Sequence, residues 1–429
     1  MRIETSHLRV PSGLAPVRAT LENGAVFLGK QTRTTPAVTI SLAMRAGSIC
    51  DPADQAGATW LLSRVIDRGT TTRSALDIAD ELDNRGISLN FAVTRHILSL
   101  VCTCLAEDFE PAFSLAGEML MHPSLPEEEI ATRKGEVVTA IRQDEDNPAV
   151  RATESLMALL YPNGHPYGRP TKGTIDVVES LTREQLMRLH AERFAPAELT
   201  AVVVGDVEME RARHLVERTF GDWRRPRPAP VRLASPVPGR SRQRLVIPMM
   251  NKAQTDIAYG FTTIRRADPA YEALRLMNNV LGQYALGGRL GDSIRERQGM
   301  AYYVSSAADP NVVEGPLLVR AGVSPANVDR AVASIDEELT RLVEDGVTAT
   351  ELDDSRRYLI GSMPRALETN AAIATFLQNS EFFGLGTDYD VRLPELLRAV
   401  TLDEVNGIAR RVIDPACAAV VIAGPYEDS

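Results

Sequence analysis

The sequence predicts an α+β fold of two homologous domains, each a mostly antiparallel sheet with helices packed on it. An internal repeat, a proline-rich seam and the grouping of strands and helices point that way. The repeat runs from Thr182-Arg183-Glu184-Gln185-Leu186 through Phe194-Ala195-Pro196 to Ala201-Val202-Val203-Val204-Gly205. It recurs, ungapped and 219 residues later, as Thr401-Leu402-Asp403-Glu404-Val405 through Ile413-Asp414-Pro415 to Val420-Val421-Ile422-Ala423-Gly424. Each copy reads as a capped helix, a proline break and a buried strand. Thr182 with Gln185, and Thr401 with Glu404, match the capping box. Pro196 and Pro415 cannot continue a helix, and short apolar runs ending in Gly suit buried strands. The seam lies at residues 223–240, where five prolines stand among five arginines and favour an extended, semi-rigid connector. It divides a domain at residues 14–225 from one at 241–427, with residues 226–240 as linker.

The elements in between fit layers of this kind. Strands are expected over 37–45 and 97–105, an amphipathic helix over 75–85 ending at Gly86, and a helix over 125–144 that Ser124 and Glu127 would open with a capping box. Strands early and helices in blocks argue against a doubly wound parallel sheet. Cys102 and Cys104 point to one face of their strand and read as core, because free Cys packs as a small hydrophobe.

Composition narrows the class of protein. The 429 residues, 44% hydrophobic and 24% charged, are enough for two large cores. A net charge of −10 argues against a nucleic-acid partner despite the arginines of the seam. Cys50, Cys102, Cys104 and Cys417 do not make a disulfide framework, and no window of 18 uninterrupted apolar residues suggests a membrane span. Met1 to His7 lacks the apolar core of a signal peptide. The expected compartment is the cytoplasm, or the periplasm if a signal has been removed.

A local frame carries the functional reading. Ala46-Gly47-Ser48 leads into Gly57-Ala58-Thr59-Trp60-Leu61-Leu62-Ser63-Arg64-Val65-Ile66-Asp67-Arg68-Gly69-Thr70. This resembles the insulinase/pitrilysin family of zinc peptidases, the inverzincins, whose members read Gly-Leu-Ala-His-Phe-Leu-Glu-His-Met-Leu-Phe-Lys-Gly-Thr there. The resemblance puts Trp60 and Arg64 where the two His ligands belong and Ser63 where the general-base Glu belongs. A later helix of the family, Glu-Ile-x-x-x-x-Asp-x-Pro, is matched by Ala140-Ile141-Arg142-Gln143-Asp144-Glu145-Asp146-Asn147-Pro148, so Ala140 stands at the third ligand. Zinc takes imidazole, thiolate or carboxylate donors; indole offers only an N–H and guanidinium has no acceptor. His7, His96, His122, His165, His190 and His214 stand singly, with no pair at helical ligand spacing. No metal and no cofactor is expected on this chain.

The other half keeps what the first has lost. Leu286-Gly287-Gly288-Arg289-Leu290, then Ile294-Arg295-Glu296, then Gly299-Met300-Ala301-Tyr302 is similar to the second signature of the family. The resemblance implies that Arg295 and Tyr302 reach toward the substrate carbonyl. Such donors stabilise the charge that develops on an attacked carbonyl, each worth about 10²- to 10³-fold in rate. It further implies the metal-lacking subunit of the two-chain branch, typified by the mitochondrial processing peptidase, acting in trans with a zinc-bearing homologous subunit that carries His-x-x-Glu-His. An edge strand would hold an extended peptide substrate by backbone hydrogen bonds. A non-catalytic scaffold or peptide-binding module is the alternative, and a self-sufficient peptidase with an unusual metal site a third. Trp60 and Arg64, four residues apart, share a helix face. They would simply fill the space a metal site would occupy, or Arg64 would stack on the indole and leave positive charge in the vacated chamber, a contact worth up to about 2 kcal/mol if desolvated.

Overall fold

The computed structural model of the protein describes residues 13–283 and 288–427. His7 and the Leu286-Gly287 start of the second signature lie outside them. The fold is the expected α+β arrangement of two related halves, each built on one sheet. The first sheet comprises β1 (Val17–Thr20), β2 (Val26–Gln31), β3 (Ala37–Met44), β4 (Ser88–Val93), β5 (Leu98–Leu105) and β6 (Leu199–Gly205), in the order β1-β2-β6-β3-β5-β4. The second comprises β7 (Gln243–Pro248), β8 (Thr255–Thr262), β9 (Ala301–Ala308), β10 (Pro316–Val323) and β11 (Ala419–Gly424), in the order β7-β11-β8-β10-β9. In each sheet one pair is parallel, β2 with β6 and β7 with β11, and the other pairs are antiparallel. Strand for strand, β2-β6-β3-β5-β4 matches β7-β11-β8-β10-β9, and the repeat read in the sequence superposes β6 on β11. Among the described strands only β1 has no counterpart.

The repeat folds as its residues require. Thr182 and Thr401 cap the helices Arg183–Arg193 and Leu402–Val412, each with a reciprocal bond from the Gln185 or Glu404 side chain. Pro196 and Pro415 each open a short 3₁₀ turn that leads into the strand. The expected capping box at Ser124 does not form. The helix there runs Glu127–Glu145, with Pro126 at its N-cap and no side-chain cap. Leu125 turns into the left-handed region, φ 46°, so Ser124 falls outside capping reach and its carbonyl accepts Arg183 instead. Glu127, Glu128 and Glu129 in the first turn meet the helix dipole in its place.

Burial is continuous along the central strands because each sheet is covered on both faces. Ala201 and Val203 of β6 face the first-half core, whereas Val202 and Val204 pack with Ile373, Ala374 and Leu377. Those three residues belong to the helix Asn370–Phe382, which comes from the other half of the chain. The second sheet repeats this in reverse: Val420 and Ile422 face their own core, and Ala419, Val421 and Ala423 meet Ala152, Leu156 and Met157. These lie on the helix Pro148–Leu160. Each half therefore lends a helix to the sheet of the other. Burial on both faces explains why these strands read as continuous apolar runs. Cys102 and Cys104 are buried, as expected for core cysteines.

The arginines of the seam serve the fold. Arg225 donates to the carbonyls of His190 and Phe194, and Arg227 pairs with Glu198 at 2.9 Å. No helix among the described residues is long and apolar enough to cross a membrane.

Two outcomes test this packing. Leu156, fully buried under the second sheet, loses its methyl groups in Leu156→Ala; urea unfolding should show a loss of roughly 2 to 5 kcal/mol. His190 Nε2 bonds the Leu120 carbonyl at 2.9 Å, and burial pushes the ring down to about 4. The unfolded chain takes up a proton near pH 6.5 that the folded chain refuses, so stability is lost as pH falls from there toward 4. The stability advantage of the wild type over His190→Gln should shrink by roughly 2 to 3 kcal/mol between pH 7 and pH 4.5, read from urea unfolding at both values.

Candidate functional site

The helix Ala58–Val65 is held at its N-terminus by a buried carboxylate. Asp51 accepts the Gly57 N–H at 2.9 Å, the Thr59 N–H at 3.0 Å and the Thr59 hydroxyl at 2.5 Å. Burial pushes its pKa up to about 6, against the pull of these donors. Gly57 (φ 98°) and Gly173 (φ 79°) meet back to back, and a Cβ on either would overlap a carbonyl oxygen of the other strand of chain. Only glycine permits both the left-handed turn and the close approach. The contact brings Lys172 against the helix.

Around Trp60 this produces a cationic cluster. The Arg64 guanidinium lies 4.9 Å from the indole centroid and the Lys172 ammonium 5.7 Å. Lys172 also pairs with Asp144 at 2.5 Å. Asp144 sits one turn beyond the half-buried Ala140 on the helix Glu127–Glu145, which packs against Ala58–Val65. Trp60, Lys172 and Asp144 thus link the two helices that carry the motif positions. Ser63 is buried and donates its hydroxyl to the Trp60 carbonyl at 2.7 Å, so it is committed to its own helix. Glu154 is shifted up by burial and by the neighbouring Asp144.

The cluster does not fit zinc. Trp60, Ser63, Arg64 and Ala140 provide no metal donor set, and Lys172 adds a positive charge beside them. Among the described residues no group of three His, Cys, Asp or Glu side chains is arranged to hold a metal ion.

Arg295 and Tyr302 form a second group in the other half. The segment Gly291–Arg297 is wound as a π-helix, a form associated with functional sites. Arg295 is exposed there, with Glu296 at 3.7 Å as its ion-pair neighbour. On β9, Tyr303 pairs with Gly322 and Ala301 with Val323, which leaves Tyr302 as the extra residue of a bulge. Bulges re-aim side chains, and Tyr302 is 65% exposed. Its neighbour Tyr303 instead donates to Asp256 at 2.5 Å.

Among the described residues no hydrogen bond or ion pair joins Arg295 or Tyr302 to the Trp60 cluster. A groove of about 510 Å³ between the halves is lined by chain neighbours of both groups and by none of the six positions themselves. Gln143 and Asp146, just past Ala140, line it together with Lys252, Gln254, Asp256 and Tyr303. Lys252 bridges it to Asp146 at 2.7 Å. Lys172, Asp144 and Asp51 were not legible as site residues, since Lys172 lies 108 residues beyond Arg64 in the chain. The glycine after Lys172 is the one local sign of a tight approach.

Comparison with known proteins agrees with this architecture. The family model described as Insulinase (Peptidase family M16) matches residues 26–175, and that described as Peptidase M16 inactive domain matches residues 180–359. An uncharacterized zinc protease of Mycobacterium tuberculosis is 29% identical over 423 residues, covering 97% of this chain and 94% of the relative. One of Bacillus subtilis is 26% identical over 410 residues, covering 95% and 98%. Among solved structures, a peptidase M16 inactive domain from Pseudomonas fluorescens has a TM-score of 0.88 at 24% identity, covering 96% of this chain and 98% of that one. A protease from Helicobacter pylori has 0.86 at 17%, covering 95% and 99%.

The link through Lys172 yields an engineering test. Trp60→His, Arg64→His and Ala140→Glu together should restore three ligands yet bind zinc weakly, because the ammonium stays beside them. Adding Lys172→Met should raise zinc affinity by about tenfold or more, read by competition with a chromophoric chelator.

Proposed function

Because the chain belongs to the insulinase (M16) peptidase family and lacks a metal donor set at the motif, we propose that it is the zinc-free subunit of a two-chain peptidase. In this reading a homologous partner carrying His-x-x-Glu-His holds the zinc, and Arg295 and Tyr302 reach the substrate from this chain. The observation that carries it is an asymmetry. All four motif positions, Trp60, Ser63, Arg64 and Ala140, hold residues that cannot do the metal chemistry. Arg295 and Tyr302 are kept and exposed, with the 3.7 Å approach of Glu296 to Arg295 as their one ion-pair contact among the described residues, and Tyr302 is set apart by a bulge.

The chemistry asks for both groups. When water attacks a peptide carbonyl, negative charge grows on its oxygen, and a phenol hydroxyl and a guanidinium aimed at that atom lower the barrier. An extended peptide can pair with a free sheet edge, and β4 and β9 each lie at an edge of their sheets.

A second reading is favoured by one observation: Lys172 ties Trp60 to Asp144 beside the motif positions. A chain that only binds peptides has use for such a tie and none for a carbonyl-polarising pair.

One mixture separates the two. The chain alone should hydrolyse no peptide. With a zinc-bearing homologue it should form a one-to-one complex with one zinc per pair, and Tyr302→Phe should lower the turnover of that complex about 10²-fold or more with little change in assembly. Size-exclusion chromatography, zinc quantification and peptide hydrolysis read the three quantities. A complex whose activity ignores Tyr302→Phe sinks the catalytic role, and peptide binding without a partner or cleavage supports the binding module.

A further inference from the structure

A cavity of about 780 Å³ opens between the two halves, and none of the six positions discussed above lines it. The turn between β4 and β5 contributes Arg95 and His96. The other half contributes Arg266, Tyr271, Arg275 and Asp309, together with Phe382 at the end of the helix Asn370–Phe382.

The charges in this cavity do not balance. Arg275 pairs with Glu272 at 3.0 Å, and Arg266 lies 3.9 Å from the same carboxylate. The Arg266 guanidinium also stacks 3.5 Å from the Tyr271 centroid. Arg95 has no ion-pair partner among the described residues. One of its N–H groups donates to the Tyr167 carbonyl at 3.1 Å, and its Nε is buried with no hydrogen-bond partner among the described residues. Asp309 feels Arg95 without approaching within ion-pair distance. The His96 ring bonds the Tyr167 hydroxyl at 2.6 Å, and burial lowers its pKa to about 4, so it adds no charge near neutrality. Three guanidiniums thus face two carboxylates.

A guanidinium that lines a cavity without a carboxylate of its own is poorly satisfied, and a carboxylate entering the cavity answers that charge with charge-assisted, geometrically matched bonds. Aromatic walls with a few convergent polar groups are the ordinary make-up of a small-ligand site. We propose that this cavity binds a carboxylate carried on an apolar or aromatic body, with Arg95 as the anchor for the carboxylate and Tyr271 and Phe382 as walls for the body. The ligand chemistry is shared by small organic acids and by the free C-terminus of a peptide. Because the walls come from both halves, such a ligand bridges them. The proposal does not rest on the subunit reading.

Isothermal titration of the full chain tests it, with three probes: hippurate, acetyl-Ala-Ala-Ala-Phe with a free C-terminus, and the same peptide amidated. At least one acid should bind saturably and one to one. Hippurate binding above the peptide assigns a small organic acid, and the reverse order assigns a C-terminus. The amide should bind about tenfold more weakly than its acid, and Arg95→Met should weaken the acid by a similar factor. Asp309→Asn, which removes a repelling carboxylate, should tighten the acid a few-fold. The proposal is overturned if no acid binds at millimolar concentration, if the amide matches the acid, or if folded Arg95→Met binds as the wild type does. Should Arg95→Met fail to fold, Asp309→Asn decides, and affinity that is unchanged or weaker overturns the proposal. Binding is read here on the chain alone, whereas the subunit reading is read by hydrolysis in a mixture, so either can fail without the other.

Discussion

Both faces of both sheets must be kept from water, and neither half of the chain supplies enough helix in the right place to do this alone. The helices Pro148–Leu160 and Asn370–Phe382 solve the problem by crossing over, each covering the sheet of the opposite half. Apolar burial is the dominant favourable term in folding, so this exchange couples the halves more firmly than the polar contacts between them. Arg18 with Glu381 and Lys252 with Asp146 are partly exposed pairs of the kind worth about 1 kcal/mol or less. The position of the groove follows from the exchange, because Pro148–Leu160 begins three residues past Glu145, at the end of the helix that carries Ala140.

The Trp60 cluster ties two helices together through one cation. Between the two helices an ammonium lies over an indole and pairs with a carboxylate on the second helix. This tie explains why Arg64, a second cation on the same helix face, can remain exposed. The indole receives it from one residue turn away, and Asp144 is already engaged.

Much of the fold could be read from residues that act locally. Thr182 and Thr401 cap because a Gln or Glu stands three residues on; Pro196 and Pro415 end helices because they lack an N–H. The Ser124 box failed for an equally local reason, the intervening Pro126 and the left-handed Leu125, which the spacing rule ignores. The stacking of Arg64 on Trp60 followed from helical periodicity. Lys172, by contrast, reaches the cluster only because two glycines far apart in the chain meet.

The sequence by itself determined the α+β class, the duplication, the absence of metal donors at Trp60, Ser63, Arg64 and Ala140, and the presence of Arg295 and Tyr302. These are properties of residue type and short spacing, and no packing could supply an imidazole that is missing. Only the tertiary structure decided which sheet each crossing helix covers, that a bulge sets Tyr302 apart, that Lys172 joins Trp60 to Asp144 and that Arg95 meets no ion-pair partner among the described residues. Each of these depends on contacts between segments separated by tens to hundreds of residues, which local pattern does not encode.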